Sequence, residues 1–282
     1  MQALKTYFEN ISSLQRSLLL AGGIFVFYLL EYLIPFIRLN YRKVSHAGVN
    51  IFFTATTAVV NFALSFLIVW ACQYAVTHKS GLLYLVHLPT WAFILAGLLV
   101  MDLIGAWFVH FLQHKIKWMW RFHLVHHCDT KVDVTTANRH HPGESVLRFV
   151  FTLLSVIILG APIWLVMLYQ SLSVLLSQFN HANINISERA DHILSYILVS
   201  PNMHKVHHHY VQPYTDSNYA NIFSMWDRLF GTYLRLPRQE IIYGIDTHML
   251  PQENRQLGNL MSIPFQPYRA PEGSKFSDEE SS

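Results

Sequence analysis

The sequence predicts an all-α integral membrane protein, with about four to five membrane-embedded helices and a cytosolic cap of histidine-rich helices. Hydrophobic residues make up 52% of the 282 positions and charged residues only 13%. Soluble domains carry about twice that charged share, so lipid is the expected solvent. The 17 histidines are concentrated in short clusters. The net charge of +3 is too small for a nucleic-acid-binding surface, so we expect no nucleic acid partner.

Four apolar runs predict the membrane spans, because about 20 apolar residues cross a bilayer core of about 30 Å. The first run lies too far from the N-terminus for a signal peptide, and no small-residue cleavage signal follows it, so we expect an uncleaved span. The fourth run contains "GAPI", where Gly and Pro favour a turn, and therefore predicts two shorter helices in a hairpin. The runs cover residues 18–37, 44–76, 82–101 and 149–179.

The positive charges predict which side of the membrane holds the histidines. Lysine and arginine residues cluster after the first and third spans, whereas the loop between the second and third spans holds only Lys79. Because short loops rich in Lys and Arg stay in the cytosol, all histidine clusters are expected on the cytosolic side of a bacterial inner membrane or endoplasmic reticulum. The cytosolic charges are Arg38, Arg42, Lys43, Lys115, Lys117, Arg121, Lys131 and Arg139.

Three histidine clusters share the spacing of ligands on a helix: "HFLQH", "HLVHH" and "HKVHH", with "FNHAN" alone between the last two. Residues three and four positions apart lie on one face of a helix, so each cluster can direct its imidazoles at one point. At about 100° per residue, His207 and His208 share a face with His204, whereas His209 points away and is expected to be a bystander. Eight or nine imidazoles exceed the ligands of one metal ion, so we expect two metals. Imidazole suits Zn, Cu, Fe and Ni alike, so the ligand type does not name the metal.

The combined series HxxxH, HxxHH and HxxHH, preceded by "DLIGAWFVH" and followed by "DSNYANIFSMWDRLFGT", resembles the fatty acid hydroxylase/sterol desaturase superfamily of membrane di-iron oxygenases. The resemblance spans roughly residues 44–233. It implies two iron ions, replaced by zinc in some preparations, and O2 as co-substrate. It also implies a lipid substrate that is hydroxylated or desaturated, and a separate electron donor such as a ferredoxin, cytochrome b5 or a reductase. The implied iron ligands are His110, His114, His123, His126, His127, His181, His204, His207 and His208.

Further polar residues are candidates for hydrogen bonds to the outer imidazole nitrogens, which orient metal-bound histidines. "NRHHPGE" at 138–144 resembles a segment of the same family and places His141 near the site, with His140 as a spectator. "HHPGE" is also similar to a cytochrome b5 haem loop, but Glu144 replaces its second glycine, so no haem is expected. The alternative role for Asp227 is a surface ion pair. For Asp102 it is a position facing a water-filled seam. The candidates are Asp102, His141, Glu144, Asn218 and Asp227.

A different class of function is a histidine-rich membrane metal transporter or metal-binding protein. Transporter ligands lie near the midplane of broken helices, whereas these clusters follow the ends of spans. Hydroxylation, desaturation and ether cleavage all stay open as outcomes of the resemblance, because they differ in which C–H bond meets the oxidant.

The chain divides into three parts. Residues 1–43 form an N-terminal segment with the first span, and 44–240 form the membrane-embedded di-iron hydroxylase/desaturase domain. Residues 241–282 form a C-terminal extension that is expected to be disordered from about 265. The segment "DHILSYILVSP" is amphipathic enough for the membrane interface, with a buried surface helix as the equal alternative. The two cysteines have no paired spacing, so no disulfide is expected.

Overall fold

The computed structural model describes residues 2–275. Its described part is helical and contains no β-strand, which confirms the predicted all-α membrane fold. Isolated bridges, such as the one between Pro35 and Ile184, are the β pairing it has. The helices are α1 (Gln2–Glu9), α2 (Ser13–Leu33), α3 (Lys43–His78), α4 (Thr90–Asp102), α5 (Val109–Lys115), α6 (Lys117–His127), α7 (Pro142–Leu159), α8 (Ile163–His181), α9 (Glu188–Leu194), α10 (Pro201–His207), α11 (Met225–Leu229), α12 (Pro251–Arg255) and α13 (Leu257–Ser262).

Four helical segments are long and apolar enough to cross a membrane, and each overlaps one of the four predicted runs. Lipid-facing side chains explain their composition: Phe25 in α2 and Phe62 and Trp70 in α3 are 70%, 83% and 62% exposed. Side chains of this kind remain outside a protein core when lipid is the solvent. The segments are Ser13–Leu33, Lys43–Tyr84, Thr90–Lys115 and Pro142–Leu159.

The predicted hairpin in the fourth run is confirmed as α7 and α8. Gly160 ends α7 with a left-handed φ of +71°, a conformation that glycine adopts without steric cost. A Cβ at this position would lie 1.9 Å from the Ser80 carbonyl oxygen. The turn can therefore pack against the loop after α3 only because residue 160 has no side chain.

The third span is longer than predicted, because the helical path continues beyond the end of α4 at Asp102. A π-helical turn, Leu103–Phe108, joins α4 to α5 and carries the span to Lys115. The Asp102 carboxylate is fully buried and accepts hydrogen bonds from the Ile222 and Phe223 amides at 3.1 and 3.0 Å. The prediction that the span ends near residue 101 was wrong, because the charge that suggested an end is satisfied inside the protein.

The core lies between the spans and under the cap. One buried cluster joins α3, α4, α7 and α8 through residues such as Ile68, Met101 and Leu165. Another joins α3, α6 and the C-terminal segment through Phe53, Trp120 and Leu260. These contacts fix the ends of α5, α6, α8 and α10 relative to one another, and those ends carry the histidine clusters.

The C-terminal segment differs from the expectation of disorder from about residue 265. Residues 266–275 have no regular helix but lie against the cap, where the Tyr268 side chain is 8% exposed and packs in the second core cluster. Burial of an aromatic ring offsets the entropy of ordering such a segment. Residues 276–282, the remainder of the predicted disordered part, lie outside the described residues. Both cysteines, Cys72 and Cys128, are free and buried.

The amphipathic segment begins as α9 and leads directly into α10. Ile193 and Ile197 are 61% and 69% exposed, while Asp191 is buried and accepts hydrogen bonds from Ser200 and the Asn202 amide. Ser200 caps α10, and Pro201 occupies its first turn, where a missing N–H costs nothing. This start fixes the register of the following histidines.

Candidate metal centre

Nine buried histidines converge at one end of the spans in two compact groups. Within each group, the ligand atoms offered by the imidazoles all lie within 4.8 Å of one another. We call them the five-histidine group and the four-histidine group. The five-histidine group is His110, His114, His123, His127 and His207, and the four-histidine group is His126, His181, His204 and His208.

Each adjacent histidine pair divides between the two groups. His126 and His127, at the end of α6, belong to different groups, and so do His207 and His208 at the end of α10. Successive residues of a helix point about 100° apart, so a neighbouring pair can serve two centres that lie side by side. The HxxHH spacing therefore links the two groups through the ends of two helices.

The inward nitrogens of several rings face one another. In the five-histidine group the Nε2 atoms of His110 and His123 are 3.0 Å apart. In the four-histidine group the His181 Nε2 atom lies 3.2 Å from His126 Nε2 and 3.1 Å from His204 Nε2. Further buried ring nitrogens have no hydrogen-bond partner, which is costly in a protein interior and fits a bound cation between them. They include His114 Nε2, His207 Nε2 and both nitrogens of His127 and His208.

The outer nitrogens of four rings are close to oxygen acceptors. His110 Nδ1 lies 2.7 Å from the Tyr219 carbonyl oxygen, and His123 Nδ1 lies 2.8 Å from Glu144 Oε1. The Nδ1 atoms of His181 and His207 lie 2.7 and 2.6 Å from the carbonyl oxygens of Ser177 and Ser217. A proton held on Nδ1 by such an acceptor leaves the Nε2 lone pair free to bind a metal.

The histidines at the ends of α6 and α10 are held in the neutral form. Burial lowers the pKa of His126, His204 and His208, and the charges of neighbouring histidines lower it further. Burial also lowers the pKa of His207 to about 3. Neutral imidazole is the form that binds metal. These histidines are therefore in the metal-binding form even when no metal is bound.

The sequence profile described as fatty acid hydroxylase matches residues 94–232, a segment that contains all nine histidines. This match supports the resemblance to the fatty acid hydroxylase/sterol desaturase superfamily that the histidine motifs predicted. No solved structure gives a significant match to the chain.

Curated relatives match about half of the chain. An ornithine lipid hydroxylase of Rhizobium tropici is 26% identical over 145 residues, which are 51% of this chain and 43% of the relative. An alkylglycerol monooxygenase of Homo sapiens is 27% identical over 51% of this chain and 31% of the relative. A cholesterol 25-hydroxylase-like protein of Danio rerio is 31% identical over 44% of this chain and 48% of the relative. The chain thus spans less than half the length of each of these proteins.

Glu144 is the predicted acceptor that directly contacts a histidine of the two groups. Its fully buried carboxylate lies 2.8 Å from His123 Nδ1 and 3.7 Å from His140 Nε2. His140, expected as a spectator, also packs against His126, with ring centroids 5.1 Å apart and tilted ring planes. This spectator is therefore closer to the site than the sequence suggested, although it joins neither histidine group.

Three other candidate residues help to position the backbone segment 217–223, which contains the carbonyl oxygens of Ser217 and Tyr219. Asp227 accepts hydrogen bonds from the amide of Tyr219 at 2.8 Å and from the Trp107 indole at 2.9 Å, and so orients the Tyr219 carbonyl. Asn218 bonds the backbone of Met203 and Leu234. Asp102 holds the following residues, 222 and 223, against the third span.

His141 and His209 lie outside both groups. His141 caps α7, where its Nδ1 accepts the Gly143 amide at 3.0 Å and its Nε2 lies 3.3 Å from the Met261 carbonyl oxygen. His209 Nδ1 accepts the Ile242 amide at 3.2 Å. Their ring nitrogens thus have structural uses, and neither imidazole faces the nine.

Sequence reasoning missed a buried ionic network beside the site. His46, in the first turns of α3, lies 2.9 Å from Asp129 Oδ1 and 3.1 Å from Asp133 Oδ2. The Tyr41 hydroxyl donates to Asp133 at 2.5 Å. The spacing of the two aspartates after the second cluster was the available signal. The network ties the loop that follows α6 to the start of the second span.

A small cavity opens between the two groups and the membrane helices. Its volume of about 20 Å³ suits a molecule the size of water. Its wall includes histidines of both groups, residues 219–221, and one side chain that the sequence analysis did not single out, Arg148 of α7.

Proposed function

We propose that this protein is a membrane-bound di-iron oxygenase that uses O2 to hydroxylate or desaturate a C–H bond of a lipid. The observation that supports it is the division of nine buried histidines into two compact groups whose inward nitrogens face one another. Each group offers enough imidazoles for one metal ion. All nine histidines are proposed as ligands.

When bound, two iron ions on imidazole ligands supply the redox chemistry of O2 reduction. The chain's own residues position that chemistry. The carbonyls of Tyr219, Ser217 and Ser177 and the Glu144 carboxylate hold protons on the outer nitrogens and fix the ring orientations. The small cavity admits little water, which protects an oxidising reaction from side reactions.

The proposed overall reaction balances with an external electron donor. Hydroxylation would take up O2, two electrons and two protons, and would release the hydroxylated lipid and one water. Desaturation would take up the same reactants and release the alkene and two waters. We propose a separate ferredoxin, cytochrome b5 or reductase as the donor, docking on the cytosolic side.

A lipid is the proposed substrate class for two reasons. The site lies at the end of apolar spans, where a bilayer molecule reaches it without crossing water. The names of the relatives refer to ornithine lipid, alkylglycerol and cholesterol.

Lipid analysis of a host with and without the active gene tests this function. We expect a new lipid heavier by one oxygen or lighter by two hydrogens, and a hydroxyl product should carry label from isotopic O2. The purified protein should contain about two metal ions per chain and consume O2 with host lipid and a reductant. Metal flux in proteoliposomes without any lipid change would instead support a transporter.

A further inference from the structure

Arg148 is a charged residue inside a membrane span, on the wall of the cavity between the two histidine groups. It lies in α7, within the spanning segment Pro142–Leu159, and its side chain is 28% exposed. Charged residues in membrane spans are costly and usually serve a function. The residue therefore needs an anionic or polar partner.

The protein offers Arg148 only weak partners among the described residues. Its guanidinium donates to Gln113 Oε1 at 3.5 Å, a long hydrogen bond, and lies 3.9 Å from Glu144 Oε1. That same carboxylate oxygen is already 2.8 Å from His123 Nδ1. A guanidinium has five N–H donors in a planar fork that matches a carboxylate or phosphate. Most of this donor capacity is unused by the protein.

The positive charge at the proposed metal site also favours an anion beside Arg148. The nine proposed ligands are neutral imidazoles, so two divalent ions would keep nearly their full positive charge. A further cation on the same cavity wall is repelled by those ions unless an anion lies between them. Glu144 is the carboxylate that contacts both the five-histidine group and Arg148. Asp216 lies 3.8 Å from His114 Nδ1 but pairs with Lys115, so these carboxylates leave two divalent ions and Arg148 with a net positive charge.

The cavity of about 20 Å³ is too small for a lipid head group, but the Arg148 side chain is 28% exposed. We propose that this exposed part binds the anionic group, a carboxylate or a phosphate, of the lipid substrate and so selects anionic lipids over neutral ones. This inference rests on the proposed function, whose substrate class it narrows. Arg148 is a specificity residue here, since it contacts the polar end of the lipid.

Binding of three probes with the same hydrocarbon chain tests the proposal: hexadecanoic acid, hexadecyl phosphate and hexadecanol. Binding to the purified metal-loaded protein is measured in neutral detergent without O2 or reductant, at about pH 9, well above the carboxyl pKa. We expect the wild-type protein to bind at least one anionic probe about tenfold or more tightly than hexadecanol. The better anionic probe identifies the head group.

Variants at Arg148 separate charge from structure. Arg148→Gln should reduce the preference for the anion to less than about twofold, whereas Arg148→Lys should keep part of it, because an ammonium retains charge but not the planar fork. Arg189→Gln, an equal loss of charge at an exposed position of α9, should keep the full preference. Metal content is measured in each variant, and the comparison uses those that retain it.

Two results would overturn the inference: a wild-type protein that binds hexadecanol as tightly as the anions, or an intact preference in Arg148→Gln. The outcomes also separate the inference from the proposed function. A protein that oxidises lipid without preferring anions refutes only the anion site. A protein that prefers anions but never oxidises lipid refutes the oxygenase and leaves the anion site standing.

Discussion

At the scale of single residues, helical direction decides which histidines can share a metal. The segment "HKVHHH" holds four imidazoles, and three of them enter the two groups while His209 does not. All four are buried, so burial alone does not distinguish a ligand from a bystander. The distinction lies in the ring nitrogens: His209 accepts a backbone amide, whereas His207 Nε2 has no protein partner.

Alanine variants of these histidines should differ in metal content. His126→Ala and His207→Ala each remove a proposed, buried ligand from one group, and we expect the protein to lose metal and O2 consumption. His209→Ala should retain nearly the wild-type metal content, because its imidazole bonds only the protein backbone. Elemental analysis of the purified variants measures the metal per chain. Equal metal loss in His209→Ala and His207→Ala would refute the division of the segment by helical face.

At the scale of structural elements, the loop after α6 is held by buried ion pairs in addition to the apolar packing of Val132 and Val134. Burial alone would raise the pKa of Asp133, but the hydrogen bond and charge of His46 and hydrogen bonds from Thr135 and Tyr41 outweigh it and lower the pKa. A carboxyl whose pKa is lowered on folding stabilises the protein above its unfolded pKa of about 3.9. That stabilisation is lost as the pH falls toward the folded pKa.

Asp133→Asn should therefore destabilise the protein in a pH-dependent way. At neutral pH we expect a loss of about 3 kcal/mol, because the substitution leaves His46 with one carboxylate fewer in a buried site. The gap between wild-type and variant melting temperatures should narrow as the pH falls below about 4. Glu188→Gln, at an exposed position of α9, is the control for charge loss. A gap that stays constant down to acid pH would show that the Asp133 charge is not what stabilises the loop.

The α7–α8 hairpin depends on one glycine. Gly160→Ala introduces a Cβ 1.9 Å from the Ser80 carbonyl oxygen at a left-handed φ of +71°, and we expect it to cost roughly 2–4 kcal/mol. Gly48→Ala is the matched control, because a Cβ there meets nothing within 4 Å. In that helical position alanine should stabilise the protein by up to about 1 kcal/mol. Thermal melts of both variants in detergent test this contrast, and similar melting temperatures would contradict it.

These elements also explain what the sequence could predict. Ligand spacing along a helix is a local pattern, so the three clusters and the hairpin at "GAPI" were readable from the residues themselves. The oxygen atoms close to the outer imidazole nitrogens could not be predicted in this way. The carbonyls of Tyr219, Ser217 and Ser177 belong to the backbone, and no residue type indicates them. The π-helical turn in the third span and the contact of His46 with Asp129, 83 positions away, depend on tertiary packing.

At the scale of the whole molecule, the site lies near one end of the spans rather than at their middle. His110 is five residues from the end of the segment Thr90–Lys115, a distance of about 8 Å along the helix axis. The hydrocarbon core is about 30 Å thick, so each leaflet contributes about 15 Å. Arg148 lies six residues from the start of the segment Pro142–Leu159, at a similar depth of about 9 Å, so a polar group bound there lies close to the histidine groups.

This depth predicts where the lipid is oxidised. With the polar group held at Arg148, on the wall of the same cavity as the histidines, we expect the new hydroxyl or double bond in the half of the chain closest to that group. In a series of acids of increasing chain length, the distance from the polar group to the modified carbon should stay constant, because the polar end sets the register. Fragmentation mass spectrometry of the products locates the modified carbon. Oxidation that follows the terminal methyl group as the chain lengthens would mean that the tail, and not the polar end, is held at the metal centre.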